Sequence, residues 1–349
     1  MGRATSLETR PHACNLPEHP AVTQPDSAAR LWAPLAGFAA AEERLGERAR
    51  AKGSVAAGLY EFLRFGVKQG WACLFGGAMC GLLILTHLAW PAGAPIARYD
   101  FLTLAAVAIQ VAMLAFRLET WEEAKVILVF HAVGTAMELY KTRMGSWVYP
   151  EASWLRLGGV PLFTGFMYAS VGSYLARVWR LFDFRFTRHP PLPALAILSL
   201  AIYANFFTQH VMTDLRLALF AAAAALFGPA VVHFRVWRAW RRMPLLLGLL
   251  LVTLFIWFAE NIGTATRGWI YPHQAAGWAA VSPAKFGSWF LLMIISYTLV
   301  ALVSRPKAFT TPPPEPSAAI DAGAAKPNSR MAVAASVPAT PLSTNSPSE

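Results

Sequence analysis

Eight apolar stretches alternate with polar breaks through the middle of the chain, near residues 71–90, 101–117, 124–140, 160–179, 192–208, 215–234, 244–262 and 284–303. A helix needs about 20 apolar residues to cross the hydrocarbon of a bilayer, so the pattern predicts transmembrane helices, the second and third being the shortest at about 17 residues. Before them, residues 1 to about 53 are rich in Ala, Pro, Glu and Arg and lack a sustained apolar period, which predicts a disordered arm with one helix near 37–52. Leu59, Phe62, Leu63, Phe65 and Val67 then interleave with Glu61, Arg64 and Lys68, the pattern of a helix lying in the membrane interface. From about 308 the chain alternates Pro, Ala and Ser and offers little to bury. The predicted organisation is an arm over 1–55, a bundle over 56–305 and a cytoplasmic tail over 306–349.

Composition agrees with the spans. Of 349 residues, 56% are hydrophobic and 14% charged, where a soluble domain carries about a quarter charged residues. The net charge of +11 raises nucleic acid as a partner, but the basic residues lie mostly beside apolar runs, where they set orientation and touch lipid head groups. No nucleic-acid partner is expected. With the N-terminus inside, fourteen Lys and Arg side chains fall on cytoplasmic flanks, among them Arg177, Arg180, Arg235 and Arg238, against seven outside, among them Arg98, Lys141 and Lys285. Both termini are therefore expected in the cytoplasm. The first thirty residues have no apolar core, so insertion is expected to use the first span as an uncleaved signal. Cys14, Cys73 and Cys80 form no CxxC pair and no disulfide framework.

One pattern is written twice, 122 residues apart. Glu138-Leu-Tyr-Lys-Thr142-Arg-Met-Gly-Ser-Trp147-Val-Tyr149-Pro150 matches Glu260-Asn-Ile-Gly-Thr264-Ala-Thr-Arg-Gly-Trp269-Ile-Tyr271-Pro272 at Glu, Thr, Trp, Tyr and Pro. Pro161 with Pro283 and Gly165 with Gly287 extend the register to seven identities, where average composition gives roughly two. Each copy closes the third span of a four-span half. The expected fold is thus an all-α polytopic transmembrane bundle of about eight spans, built as two parallel four-helix repeats of about 60–180 and about 190–304, with both motifs facing outside.

An ionisable side chain at a membrane edge faces the bundle interior or a watery cavity, which makes Glu138 and Glu260 candidates for binding a proton or a ligand. The bland alternative pairs Glu138 with Lys141 and leaves Glu260 as a loop anchor. His131 and Thr135 share a helical face with Glu138, and Thr253, Trp257 and Thr264 share one with Glu260. His131 is a candidate proton relay or a satisfied interior histidine. In the extended segments, Trp147 with Tyr149 and Trp269 with Tyr271 point to one side, as membrane-interface anchors or as a wall over the glutamates, with Gly145, Gly158, Gly159 and Gly268 allowing tight turns. Thr142 and Thr264 complete the candidate set. No histidine pair has metal-ligand spacing, and no P-loop, GxSxG or dinucleotide fingerprint is present, so no metal and no cofactor is expected.

Several longer strings carry a resemblance. Glu61-Phe-Leu-Arg-Phe-Gly-Val-Lys-Gln69 with Cys73-Leu-Phe-Gly-Gly77, Phe116-Arg-Leu-Glu-Thr-Trp121, Met144-Gly-Ser-Trp-Val-Tyr-Pro-Glu151, Gly158-Gly-Val-Pro-Leu-Phe163 and Gly165-Phe-Met-Tyr-Ala-Ser-Val-Gly-Ser-Tyr174 open it. Ile256-Trp-Phe-Ala-Glu-Asn-Ile-Gly263 and Lys285-Phe-Gly-Ser-Trp-Phe-Leu-Leu-Met-Ile-Ile-Ser296 close it. From Tyr60 to about Ser304 the chain resembles the bacterial integral-membrane family called domain of unknown function 817 (YoaT-like). The resemblance implies a multi-pass protein of the bacterial inner membrane and assigns no activity. Glu260-Asn-Ile-Gly263 with Gly268-Trp-Ile-Tyr271 is also loosely similar to membrane carotenoid-pathway proteins, which place a Glu before a Gly-rich, Tyr-containing outer segment.

Two functions compete. The first expectation is a secondary carrier for a small solute, with the glutamates and His131 handling protons or cargo. The second is a membrane enzyme acting on an isoprenoid- or carotenoid-like substrate, with Glu138 and Glu260 as acid and base. A non-catalytic assembly role is the third. An apolar cavity open to lipid beside the glutamates favours the enzyme; a closed polar cavity favours transport. Membrane lipids and a small or lipophilic ligand are the expected partners, with the oligomeric state left open.

Overall fold

The apolar period of the sequence becomes helix almost throughout. The computed structural model describes residues 33–209 and 212–310; the start of the arm, His210, Val211 and the tail beyond 310 lie outside the described residues. In chain order the helices are α1 (Ala33–Ala51), α2 (Ser54–Ala72), α3 (Leu74–Ala89), α4 (Arg98–Ala115), α5 (Trp121–Arg143), α6 (Phe163–Leu181), α7 (Leu192–Thr208), α8 (Arg216–Phe227), α9 (Leu245–Ala265) and α10 (Ala284–Ser304). The compact unit that contains them ends at Phe309. α4, α9 and α10 are long and apolar enough to cross a membrane, and α2 with α3, bent by 67° at their junction, make a fourth crossing if counted as one.

α5 is longer than its apolar run predicts, at 23 residues, because a capping box extends its start: Glu123 N–H donates to Thr120, and the Glu123 carboxylate accepts from Thr120 N–H. The packing centre lies among α5, α6, α7 and α10. Phe130, Leu195, Ile202, Phe227 and Ile294 are buried there. Gly172 has no Cβ, which leaves room for the Phe130 ring; a methyl at this position would stand 2.7 Å from it. That close approach brings α5 and α6 together along their length.

The fold is mostly helical rather than all-α. Strands β1 (Arg156–Leu157) and β2 (Val160–Pro161) form a short hairpin around Gly158 and Gly159. Strands β3 (Arg185–Thr187), β4 (Val231–Arg235) and β5 (Trp240–Pro244) form an antiparallel sheet in that order, with Arg185 opposite His233 and His233 opposite Arg242. The stretch near 215–234, expected as one helix, is therefore divided. Gly228-Pro229 ends α8 after 12 residues, and the β-branched Val231 and Val232 continue as strand. Past α10, Phe186 exchanges backbone hydrogen bonds with Lys307 and Phe309, and the Phe309 ring stacks on His233 at 3.9 Å.

Not every basic side chain beside a span is a solvated flank. Arg177 on α6 is fully buried and forms an ion pair with Glu119, which also accepts from Ser173 at 2.7 Å and from Gln110. Arg177 further donates to the carbonyl of Trp71 at the α2–α3 bend, at 3.1 Å. This pair explains the charged string between α4 and α5. It ties both helices, and the bend, to α6. Breaking a buried pair from one side strands the other charge and costs about 3–5 kcal/mol. Arg177→Met should lower the thermal midpoint of the detergent-purified protein steeply. Glu122→Gln, which removes only the exposed pair with Lys125, should leave that midpoint unchanged.

Candidate functional site

The two repeated motifs close in the same way. At the end of α5, Gly145 N–H reaches Thr142 C=O and Ser146 N–H reaches Lys141 C=O, both at 3.0 Å. At the end of α9, Arg267 N–H reaches Thr264 C=O at 3.1 Å and Gly268 N–H reaches Gly263 C=O at 2.8 Å. This double bond needs a left-handed residue at the turn. Gly145 supplies it with φ +69°, and in register Arg267 adopts φ +56°. The strained position in the second copy is thus Arg267, not the glycine after it.

Each turn sends an extended segment back over its glutamate. Trp147 Nε1 donates to Glu138 at 2.7 Å, and Tyr149 OH donates to the same oxygen. Trp269 Nε1 donates to Glu260 at 3.0 Å, joined there by Tyr271 OH. Between Trp and Tyr in each copy stands an aliphatic residue whose side chain points the other way, as extended backbone requires. Those two residues, Val148 and Ile270, exchange both backbone hydrogen bonds at 3.0 Å in an antiparallel bridge. The motifs therefore meet each other directly, and the Trp147 and Tyr271 rings lie edge to face at 6.1 Å.

The first turn of α4 holds the paired loops. Arg98 donates to the Thr266 carbonyl at 2.6 Å and forms an ion pair with Glu151, so one side chain grips both copies. Tyr99 OH donates to Arg267 C=O at 2.8 Å, and Asp100 accepts from the N–H groups of Trp154 and Leu155 at 2.9 and 2.7 Å.

Glu138 and Glu260 line one cavity of about 690 Å³ together with their four aromatic donors, Tyr168 and Lys285. The cavity follows α6 from Thr164 to Phe182, about 27 Å at 1.5 Å per residue. Its wall is apolar along most of this length, and it ends near Gln69, Phe234 and Met243 beside the sheet. Cys73 at the α2–α3 junction, Gly77 of α3, and Leu251 and Phe255 of α9 line it and are also exposed, Phe255 by 70%. The cavity reaches the lateral surface of the bundle between these two helices.

Of the sequence candidates, Glu138, Glu260, Trp147, Tyr149, Trp269 and Tyr271 come together here. Trp147 and Tyr271 are buried, so they serve as an inner wall rather than as interface anchors. Glu138 takes its donors from the aromatic loop, while the ammonium of Lys141 stands over the Phe206 ring at 4.5 Å. His131, Thr142 and Thr264 do not line the cavity. The His131 ring lies against Phe166 at 4.6 Å, and Thr264 accepts from Trp278 Nε1 at 3.2 Å within its own loop. About two turns of helix lie between His131 and Glu138, and direction rather than distance keeps His131 out of the site: its ring turns to Gly165 and Phe166 of α6. Among the described residues, no three His, Cys, Asp or Glu side chains converge as a metal site would require.

Two site residues escaped the sequence reading. Tyr168 of α6 donates to the other oxygen of Glu138 at 2.7 Å, its ring seated on Gly134, where a Cβ would stand 2.6 Å away. Lys285, at the start of α10, reads as a flanking charge, yet its ammonium lies 4.4 Å from the Tyr271 ring centre and 5.6 Å from that of Trp147. Both residues lie outside the repeated segment's identities. In register, Tyr168 corresponds to Phe290 and Lys285 to Phe163.

Mostly helical, with spans apolar enough to cross a bilayer, the chain is a membrane protein. A family described as "Protein of unknown function (DUF817)" matches residues 61–297, and the chain belongs to that family. It is 41% identical over 247 residues to a Bacillus subtilis (strain 168) protein described as "Uncharacterized protein YoaT", an alignment covering 71% of this chain and 93% of that one. No solved structure matches the chain.

Gly263 makes the second closure possible, since a Cβ there would stand 2.2 Å from the Trp269 indole. Overfilling a packed site costs about 1–3 kcal/mol. Gly263→Ala should destabilise the protein by that amount, and should cost nothing further once Trp269→Ala has removed the ring, a coupling that a double-mutant cycle in thermal denaturation reads directly.

Proposed function

We propose that the protein binds an elongated lipophilic molecule, isoprenoid- or carotenoid-like, inside the bilayer, with the two glutamates at the polar end of its site and Glu260 the carboxylate that handles a proton there. The observation that carries this reading is the cavity: long, apolar-walled, open sideways toward lipid, and polar at the end where both glutamates stand. Ligand sites of about 300–1,000 Å³ with apolar walls and a few convergent polar groups are the usual form of a small-molecule pocket. A carboxylate embedded among aromatic donors can exchange a proton with bound substrate without water competing for it.

In this reading the chain resides in the bacterial inner membrane with both termini cytoplasmic and eight crossings, α3 to α10, arranged as two parallel four-helix halves. Support comes from the seven in-register identities, the matched closures of α5 and α9, and the basic clusters at 177–188 and 235–242. α8 is the short crossing, at 12 residues. Transport of a small solute stands second. Its support is the run of the cavity along the whole of α6, a path that reaches toward both faces of the bundle.

Native mass spectrometry of the protein released from its own membranes discriminates the two. An apolar adduct should accompany the wild type and disappear in Val252→Trp, which fills the cavity, at an unchanged thermal midpoint. A water-soluble polar adduct, or an apolar one that persists in Val252→Trp, would overturn the lipophilic reading.

A further inference from the structure

The polar end of the cavity is asymmetric in a way that selects the head group of its ligand. Glu138 is closed: one oxygen accepts from Tyr168, the other from Trp147 and Tyr149. Glu260 is half open. Its Oε1 accepts from both Trp269 and Tyr271, and no described residue donates to Oε2. The register explains the difference, because Phe290 stands in α10 where Tyr168 stands in α6. Lys285 supplies the opposite deficit. Its ammonium carries three donors, and among the described residues none finds a hydrogen-bond acceptor; the rings of Tyr271 and Trp147 are its neighbours. A cation–π contact offsets part of the cost of removing an ammonium from water and leaves its N–H groups available.

We propose that Lys285 and Glu260 Oε2 together bind a hydroxyl group at the end of the lipophilic ligand, which is an alcohol; this rests on the lipophilic reading above. A hydroxyl is the neutral group that accepts from Lys285 and donates to Glu260 at once. A carboxylate head group would accept from Lys285 but has no proton to donate to Glu260, and two oxygens that only accept repel each other in a low-dielectric site. A hydrocarbon would leave both groups unpaired. Lys285 is then the specificity-determining residue of the cavity, Glu260 the carboxylate that meets the ligand, and Glu138 a positioning residue that fixes the aromatic wall.

Four probes with one saturated C20 tail and different ends test this: phytanol, phytanal, phytanic acid and the hydrocarbon phytane, each titrated against the full chain in nanodiscs. The alcohol should bind at least tenfold more tightly than the acid and the hydrocarbon. Lys285→Met and Glu260→Gln should each remove that preference, with phytane bound at least as tightly as by the wild type, and Lys285→Arg, which keeps the donors and charge, should retain it. Equal binding of alcohol and hydrocarbon, tightest binding of the aldehyde or acid, or a preference that survives Lys285→Met would overturn the assignment and leave the lipophilic cavity standing. Failure of all four probes to bind would overturn both.

Discussion

A carboxylate inside an apolar bundle has to be solvated by the protein, and here that requirement is met twice by the same device. An ionisable group costs about 2.5–3.5 kcal/mol at mid-membrane on insertion scales and less toward the edge, and the chain answers with an indole N–H and a phenol O–H delivered from nine and eleven residues downstream. The geometry follows from that delivery. The helix must stop within two turns, the backbone must reverse through a left-handed residue, and the return must be extended so that Trp and Tyr share a side. Once both copies have done this, their outward-facing backbones have unpaired N–H and C=O groups, and the Val148–Ile270 bridge satisfies them against each other.

Joining the two loops fixes where the helices behind them stand. α5 and α9 end at one place, with α6 and α10 beside them, and the space between is too wide for the apolar side chains to fill. The 690 Å³ cavity is the result. The opposite end is held separately, by the Arg177–Glu119 pair and by the sheet that β4 and β5 add to β3. A bundle pinned at its two ends and loosely filled between them is suited to receive a long guest, and the exposed glycine and cysteine at the start of α3 leave the wall thin where α9 passes.

Much of this was legible in the sequence, for a physical reason. Glu138, Trp147 and Tyr149 lie within one local segment, and their spacing offered a wall over the carboxylate as one of two readings, the other being anchors in the membrane interface. The duplication then marks the same contacts at Glu260. What was not legible depends on distant packing. Tyr168 reaches Glu138 across thirty residues because Gly134 lets its ring in. Lys285 and Arg177 look like flanking charges until the fold turns them inward, one over aromatic rings and one onto Glu119. His131 shares a helical face with Glu138 in projection, but the close approach of Gly165 turns that face toward α6 and away from the cavity. The division of the sixth apolar stretch was announced by Gly228-Pro229, which a hydropathy pattern passes over.

The two motifs meet and place both glutamates at one end of one cavity. Cysteines introduced together at Val148 and Ile270 test this in native membranes without purification. Directly opposed residues of an antiparallel bridge have Cα atoms about 5.5 Å apart, within the range a disulfide spans. The double variant Val148→Cys with Ile270→Cys, in a background with Cys14, Cys73 and Cys80 replaced by serine, should form an intramolecular disulfide on mild oxidation, seen as a reducible shift in electrophoretic mobility. Two thiols that stay separately modifiable under the same oxidation would show that the motifs stand apart, and the shared glutamate site would fall with them.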